Sequence, residues 1–267
     1  MTQEWTTQSI EGEEVIVTGR LPGRTALVTG STSGIGVAIA RALAAEGAHV
    51  VLTGRSVERG AKTVAEIEAA GGRADFVAAD LGAGAEAVTE LASRTTELVG
   101  GAPDILVNNA AFLVGGSATA DTEVATVDAA LAVSVKAPFL LTRALAPAMA
   151  ARGSGAIVNI GSINGLVGMN GAALYGATKA ALHSLTKSWA AEFGPAGVRV
   201  NTVAPGPTLT EGNERRRDLL AGLVAGIPSR RLSTVEEVAA AVVFLAGDDA
   251  GNIHGATLPV DGGFTTV

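Results

Sequence analysis

Tyr175 and Lys179 stand four residues apart in a stretch, 172–193, whose apolar spacing predicts a helix, so both side chains share one face about a turn apart. A free phenol titrates near ~10 and is a poor base at neutral pH. A cation one turn away favours the phenolate and lets the group exchange a proton with a bound oxygen. Tyr175 is the only tyrosine in the chain. A lone helical tyrosine more often packs than reacts, and Lys179 one turn on is the feature that favours chemistry here.

A second constellation lies near the amino terminus. Thr29-Gly-Ser-Thr-Ser-Gly-Ile-Gly36 follows an apolar run and opens an Ala-rich amphipathic stretch. Gly30, Gly34 and Gly36 permit a tight turn and close backbone approach, and exposed N–H groups at a helix start favour a pyrophosphate. The spacing Gly-x-x-x-Gly-x-Gly departs from the common Gly-x-Gly-x-x-Gly fingerprint, so the position between strand and helix carries the inference.

The elements that must position these groups alternate from Arg24 onward. Short β-branched runs at 25–29, 49–53, 74–78, 105–108, 156–160, 199–203 and 257–260 predict strands. Between them 35–46, 57–70, 86–98, 124–151, 172–193 and 235–246 predict helices. Such alternation predicts an α/β, doubly wound, Rossmann-like parallel sheet flanked by helices. Residues 24–267 form one domain by this pattern. Residues 1–23 lie outside it as an amino-terminal extension, either a mobile tail or a strand packed on the body or a neighbour.

Composition narrows the function. The 267 residues are 48% hydrophobic and 17% charged, with a mean hydropathy of +0.37, enough to bury a sizeable core. A net charge of −7 and a pI near 5.0 oppose attraction to nucleic acid or anionic membranes. The absence of cysteine removes disulfides, thiol catalysis and most zinc sites. His49, His183 and His254 are too far apart for a metal motif, so no metal is expected and each reads as a surface or packing residue. Neither a secretory pattern nor an unbroken run of about 18 apolar residues is present, so a cytoplasmic protein without a membrane span is expected.

In order along the chain, Thr29–Gly36, Asn108-Asn-Ala-Ala111, Tyr175-Gly-Ala-Thr-Lys179, Pro205-Gly206 and Asp261-Gly-Gly263 resemble the TGxxxGxG, NNAG, YxxxK, PG and closing motifs of the short-chain dehydrogenases/reductases, including their 3-oxoacyl-carrier-protein reductase-like members. The resemblance spans about residues 24 to 264. It implies a seven-stranded parallel sheet, a nicotinamide cofactor, and hydride transfer between that cofactor and a ketone or secondary alcohol. In it Tyr175 is the general acid/base, Ser162 hydrogen-bonds the same oxygen, and Lys179 supports the phenolate and binds the nicotinamide ribose. Implied cofactor contacts are Gly30, Ser31, Ser33, Gly34, Ile35 and Gly36 at the pyrophosphate, Asp80 and Leu81 at the adenine, and Asn109 at the ribose. Pro205, Gly206 and Thr208 lie near the nicotinamide, and Thr210 reaches the pyrophosphate. Tyr175 and Lys179 complete the set.

At the end of the second predicted strand, Gly54 offers no carboxylate to ribose hydroxyls while Arg55 supplies a planar cation for a 2′-phosphate. NADP(H) is favoured; NAD(H) stays possible, because Ser33 stands where many NADP-dependent relatives carry a basic residue. Two departures stand out. Ser134, in Val133-Ser-Val-Lys-Ala-Pro-Phe139, replaces the family's catalytic asparagine, and its shorter side chain implies a modified proton relay. Ala111 replaces the last glycine of NNAG. The alternatives are an NAD-dependent alcohol dehydrogenase of the same fold and a non-catalytic dinucleotide-binding protein; serine hydrolysis lacks a G-x-S-x-G elbow around Ser162.

By position in the family, 209–228 forms a substrate lid, with Leu219, Leu220 and Leu223 inward and Arg215, Arg216 and Arg217 outward. Asn164, Leu166 and Met169 border the pocket, which implies a carbonyl compound with some apolar surface. The long small-residue helices and the carboxy-terminal segment correspond to family interfaces and imply a homotetramer.

Overall fold

The computed structural model describes residues 7–10, 13–16, 19–114, 116–211, 222 and 224–266. In the extension β1 (Thr7–Ile10) and β2 (Glu13–Ile16) pair antiparallel as a two-stranded sheet. The body is one parallel sheet of β3 (Thr25–Val28), β4 (His49–Gly54), β5 (Arg73–Ala78), β6 (Ile105–Asn108), β7 (Gly155–Ile160), β8 (Val198–Pro205) and β9 (Thr257–Val260), ordered 5-4-3-6-7-8-9. The predicted strands are all present, with ends moved by a residue or two.

Each central strand is apolar on both sides because it feeds two cores. Ala26, Val28, Val50, Leu52, Ile105, Val107, Ala156 and Val158 enter one. Their neighbours Leu27, Val51, Leu106 and Ile157 enter the other. The first core is closed by α1 (Gly34–Ala45) and α2 (Val57–Ala69) together with the helix Val235–Ala246; the second by α3 (Ala85–Val99) and by the helices Ala137–Arg152 and Ala173–Phe193.

One predicted helix is in fact three pieces. The stretch 124–151 divides into α4 (Val124–Leu131), a π turn (Ala132–Lys136) and α5 (Ala137–Arg152). Periodicity cannot register a single wider turn that leaves both flanking helices in line. Ser134 sits inside that turn, 1% exposed, and its Oγ accepts the Phe112 N–H at 3.1 Å. Among the described residues Val124–Arg152 is also the one helical stretch long and apolar enough, by length and composition, to cross a membrane. Its Leu141, Leu145 and Met149 are buried in the second core.

Two further helices, α6 (Ala173–Phe193) and α7 (Val235–Ala246), complete the layers. The chain runs outward from β3 to β4 and β5, then returns across β3 to β6, so the order reverses between β3 and β6; ligands bind at the carboxyl ends of strands beside such a switch point. A buried polar ladder fixes the neighbouring strand ends. Asn108 Nδ2 donates to Asn159 Oδ1 at 2.8 Å, and Asn159 Nδ2 to Thr186 Oγ1 at 2.8 Å. The one Thr186 proton goes to Leu182 O, so Thr202 is the donor in the 2.7 Å Thr186–Thr202 bond. The ladder ties β6, β7 and β8 to α6. Asn159→Ala, which leaves the Asn108 amide without its acceptor, should cost roughly 1–3 kcal/mol in urea unfolding; a loss below about 0.5 kcal/mol would mean the ladder is not holding these strands.

Candidate active site

The glycine loop and the Asn-Asn-Ala-Ala loop interlock across the switch point. Gly30 has φ +64, and a Cβ there would come within 2.9 Å of Ala110 Cα; a Cβ on Gly36 would overlap the Gly30 carbonyl and lie 2.6 Å from Asn109 Nδ2. That Nδ2 donates to Thr29 O at 2.8 Å and to Gly30 O at 3.1 Å, while Thr29 Oγ1 accepts from the N–H groups of Asn109 and Ala110. Asn109, expected at the ribose, thus has its side-chain nitrogen committed to holding the loop.

The N-terminal turn of α1 is left open for an anion. Ser33 is the N-cap with an extended backbone, its side chain makes no capping bond, and the first turn carries no acidic residue. With no capping bond, the Gly34, Ile35 and Gly36 turn keeps the positive end of its dipole free for a charged ligand. Thr210, from the segment after β8, places Cγ2 3.6 Å from where a Gly34 Cβ would be. A dinucleotide pyrophosphate fits this cradle, which no larger residue at 30 or 36 could form. The Ser31 hydroxyl donates to Val28 O and accepts from Thr53 N, and its own N–H donates to Thr53 O, so its side chain helps shape the loop.

At the adenosine end, Thr32 fills the space beside Gly54. A Cβ on Gly54 would lie 2.7 Å from Thr32 Cγ2 and 2.8 Å from its Oγ1, so a carboxylate-bearing residue at 54 would collide with the loop. Arg55, next to it, is exposed. Thr32 carries no signal in the sequence; only the pairing of β3 with β4 brings it to Gly54. Asp80 is exposed, with Oδ1 accepting the Gly82 N–H at 2.9 Å, and Leu81 beside it is buried in the second core.

Ser162 and Tyr175 meet where β7 ends and α6 begins. Ser162 caps a short 3-10 turn (Ile163–Gly165), its Oγ accepting the Asn164 N–H at 3.2 Å, which leaves the hydroxyl proton free to donate. Burial raises the Tyr175 phenol above its ordinary range, and the Ser162 hydroxyl opposes that rise. Lys179 is 3% exposed, 5.7 Å above the Tyr175 ring centroid, and donates to Ile160 O at 2.7 Å; burial lowers it to about 8. The sequence predicts that Lys179 draws the phenol toward phenolate. Here the cation lies over the ring, and burial outweighs the Ser162 hydrogen bond in setting the phenol's own pKa.

Pro205 ends β8, and Gly206 lies against the closing motif: a Cβ at 206 would be 2.7 Å from Asp261 Cα. Asp261 in turn accepts from the N–H groups of Gly263 and Thr265. Thr208 is buried, its hydroxyl donating to Gly206 O. Of the expected lid residues, Leu219, Leu220, Leu223, Arg215, Arg216 and Arg217 lie outside the described residues. Among the described residues no cluster of His, Cys, Asp or Glu could hold a metal.

The profile of a family described as Enoyl-(Acyl carrier protein) reductase matches residues 30–265. A solved structure named short chain dehydrogenase/reductase family protein is 48% identical, with a TM-score of 0.85 over 93% of this chain and 100% of that one. The cyclopentanol dehydrogenase of a Comamonas species is 37% identical over 257 residues, 92% of this chain and 99% of its own length. A structure from Beutenbergia cavernae, named as an NAD(P) dependent gluconate 5-dehydrogenase and holding NADP at low occupancy, is 38% identical with a TM-score of 0.87, covering 92% and 98%.

Burying Lys179 has a measurable cost. With the folded value near 8 and the unfolded one near 10.5, the unfolded chain binds more protons between those values, so stability rises with pH across that window. Lys179→Met should therefore be more stable than wild type at pH 7, by at most about 3 kcal/mol less the cost of an orphaned Ile160 carbonyl. The gap should narrow from pH 8 toward 10.5 in denaturant titrations; a gap that widens with pH would contradict the assignment.

Proposed function

The chain belongs to the short-chain dehydrogenase/reductase family, and from that premise we propose that it moves a hydride between NADP(H) and a ketone or secondary alcohol, with Tyr175 as the general acid/base. The observation that carries this is the meeting of the chain's only phenol with the Ser162 hydroxyl and the buried Lys179 ammonium, at the carboxyl edge of the same sheet whose β3 leads into the glycine cradle. When bound, the nicotinamide supplies the hydride in reduction and accepts it in oxidation. In reduction the Tyr175 O–H gives its proton to the carbonyl oxygen and Ser162 donates a hydrogen bond to that same oxygen, stabilising the charge that develops there. Lys179 stabilises the phenolate left behind and offers its remaining N–H groups to the ribose. Ser134, tied to Phe112 N inside the π turn, supports a relay shortened relative to one built on asparagine.

Cofactor choice rests on Gly54 and Arg55: the first carries no carboxylate and is crowded by the Thr32 side chain, the second offers a guanidinium to a 2′-phosphate. Gly30, Ser33, Gly34, Ile35, Gly36 and Thr210 hold the pyrophosphate, Asp80 and Leu81 border the adenine, Asn109 backs the ribose, and Pro205, Gly206 and Thr208 flank the nicotinamide. For the substrate, no charged residue occurs in 105–120 or 153–178, and the loops leaving β6 and β7 expose Phe112, Leu113, Leu166 and Val167. Ser117 N bonds Gly171 O at 3.1 Å and joins these loops. An uncharged, largely apolar ketone or alcohol fits them better than a polyhydroxy acid.

Assembly as a homotetramer has support on the outer side of the helices. A groove of about 630 Å³ between α4, the π turn, α5 and α6 is lined by Leu131, Val135, Phe139 and Leu185. The acidic charge balance suits a cytoplasmic enzyme without nucleic-acid or membrane partners.

Tyr175→Phe should lose at least about 100-fold in kcat while its NADP(H) dissociation constant changes less than about twofold; near-normal turnover would remove Tyr175 from the chemistry. A panel of alicyclic and polyhydroxylated ketones and alcohols, run with both cofactors, should give kcat/KM at least about tenfold higher with NADP(H), a preference of about 1.4 kcal/mol, and Arg55→Ala should erase most of it. Equal or better use of NAD(H) would reverse the cofactor assignment.

A further inference from the structure

One turn beyond Lys179 the buried stripe of α6 reaches His183, to which hydride transfer as described gives no part. It is 6% exposed, and neither ring nitrogen makes a hydrogen bond of ordinary geometry, although the Gly165 backbone acts on the ring and slightly opposes the fall in its pKa. Burial first, then the charges of Lys179 and Lys187, push the imidazole down to about 4, so it is neutral at neutral pH and adds no second charge beside Lys179. What the ring does touch is the turn that carries Ser162. A Cβ on Gly161 would overlap His183 Nε2 and lie 2.7 Å from Cδ2, and a Cβ on Gly165 would lie 2.8 Å from Cε1. These two glycines bracket Ser162, and the residue before them, Ile160, supplies the carbonyl that holds Lys179. Thr202 Cγ2 of β8 closes the same space, 2.7 Å from the Gly161 Cβ position.

We propose that His183 is a positioning residue: its neutral ring, seated against Gly161 and Gly165, fixes the Ser162 turn against α6 and so sets the Ser162 hydroxyl opposite the Tyr175 phenol. This rests on Ser162 and Tyr175 acting as the hydride-transfer pair. The contact works mainly by shape, since any side chain at 161 or 165 would occupy space the ring already fills. The α6 backbone at Lys179 and Ala180 also lies against Gly165, but at Gly161 removing the ring takes away the contact from the helix and leaves that end of the turn looser. A displacement of about 1 Å at a reacting geometry can cost on the order of 100-fold in rate.

The test compares His183→Ala, His183→Gln, Gly161→Ala and the Gly161→Ala/His183→Ala pair in the full chain, measuring kcat, KM for NADPH and NADPH binding by fluorescence. His183→Ala should lower kcat about tenfold or more while KM for NADPH stays within about twofold. Glutamine, planar at its tip and of similar reach, should recover most of that loss. Gly161→Ala, which drives a methyl group into the ring and against Thr202 Cγ2, should resemble His183→Ala, and the pair should lose less than the product of the two single losses because the ring no longer opposes the methyl. If His183→Ala does not fold, the glutamine variant and Gly161→Ala carry the comparison. Wild-type kcat in His183→Ala, a glutamine variant as impaired as the alanine one, or losses at 161 and 183 that multiply would each overturn the proposal. An inactive Tyr175→Phe beside a fully active His183→Ala sinks this proposal alone, whereas an active Tyr175→Phe sinks the hydride-transfer assignment beneath it.

Discussion

A single ammonium group taken almost wholly out of water governs this site. Lys179 donates to the Ile160 carbonyl, and burial alone moves it from about 10.5 to about 8. Such a group lowers stability unless the fold around it is rigid enough to keep water and the carbonyl where they are. The surrounding scaffold meets that demand with a sheet buried on both faces and a polar ladder, Asn108–Asn159–Thr186–Thr202, directly beneath the strand ends. The same ladder anchors β7 and α6, the two elements that bring Ser162 and Tyr175 together.

The cofactor side is built by steric exclusion more than by attraction. Gly30 and Gly36 are required because Ala110, Asn109 and the loop's own carbonyl occupy the places their Cβ atoms would take. Gly206 is required because Asp261 lies against it. Motifs separated by more than fifty residues are thus pieces of two contacts, one between the glycine loop and the Asn-Asn turn, the other between Pro205-Gly206 and the closing turn. A side chain added at any of these glycines would disturb the partner motif as well as its own.

Those glycines explain how much could be seen without coordinates. A positive φ or a forbidden Cβ leaves a trace in residue identity, so the cradle at Thr29–Gly36 and the Tyr175–Lys179 spacing were legible, and the parity of apolar residues made the sheet legible too. Which way the Ser31 hydroxyl turns is not legible in the sequence, because its place in the loop is compatible with either face of the backbone; it points inward to Val28 and Thr53. Thr32 and His183 left no trace, since a threonine or histidine is unremarkable until a glycine from another segment is found against it. The π turn at Ala132–Lys136 escaped because one widened turn preserves the amphipathic pattern on both sides.

That turn bears on how a serine can stand where the family uses asparagine. If the side chain alone bent the helix, shortening it should have restored regular hydrogen bonding through Ser134. The π geometry persists, with the Ser134 hydroxyl bonded to Phe112 N and Ala137 and Pro138 buried just beyond. Pro138 has no N–H to donate, so the i→i−4 bond to Ser134 O cannot form whatever side chain occupies 134. The proline four residues later therefore denies Ser134 O its α-helical donor, and the side chain needs only to tie the widened turn to the Phe112 loop. On this account what serine changes is reach, not the presence of the bend.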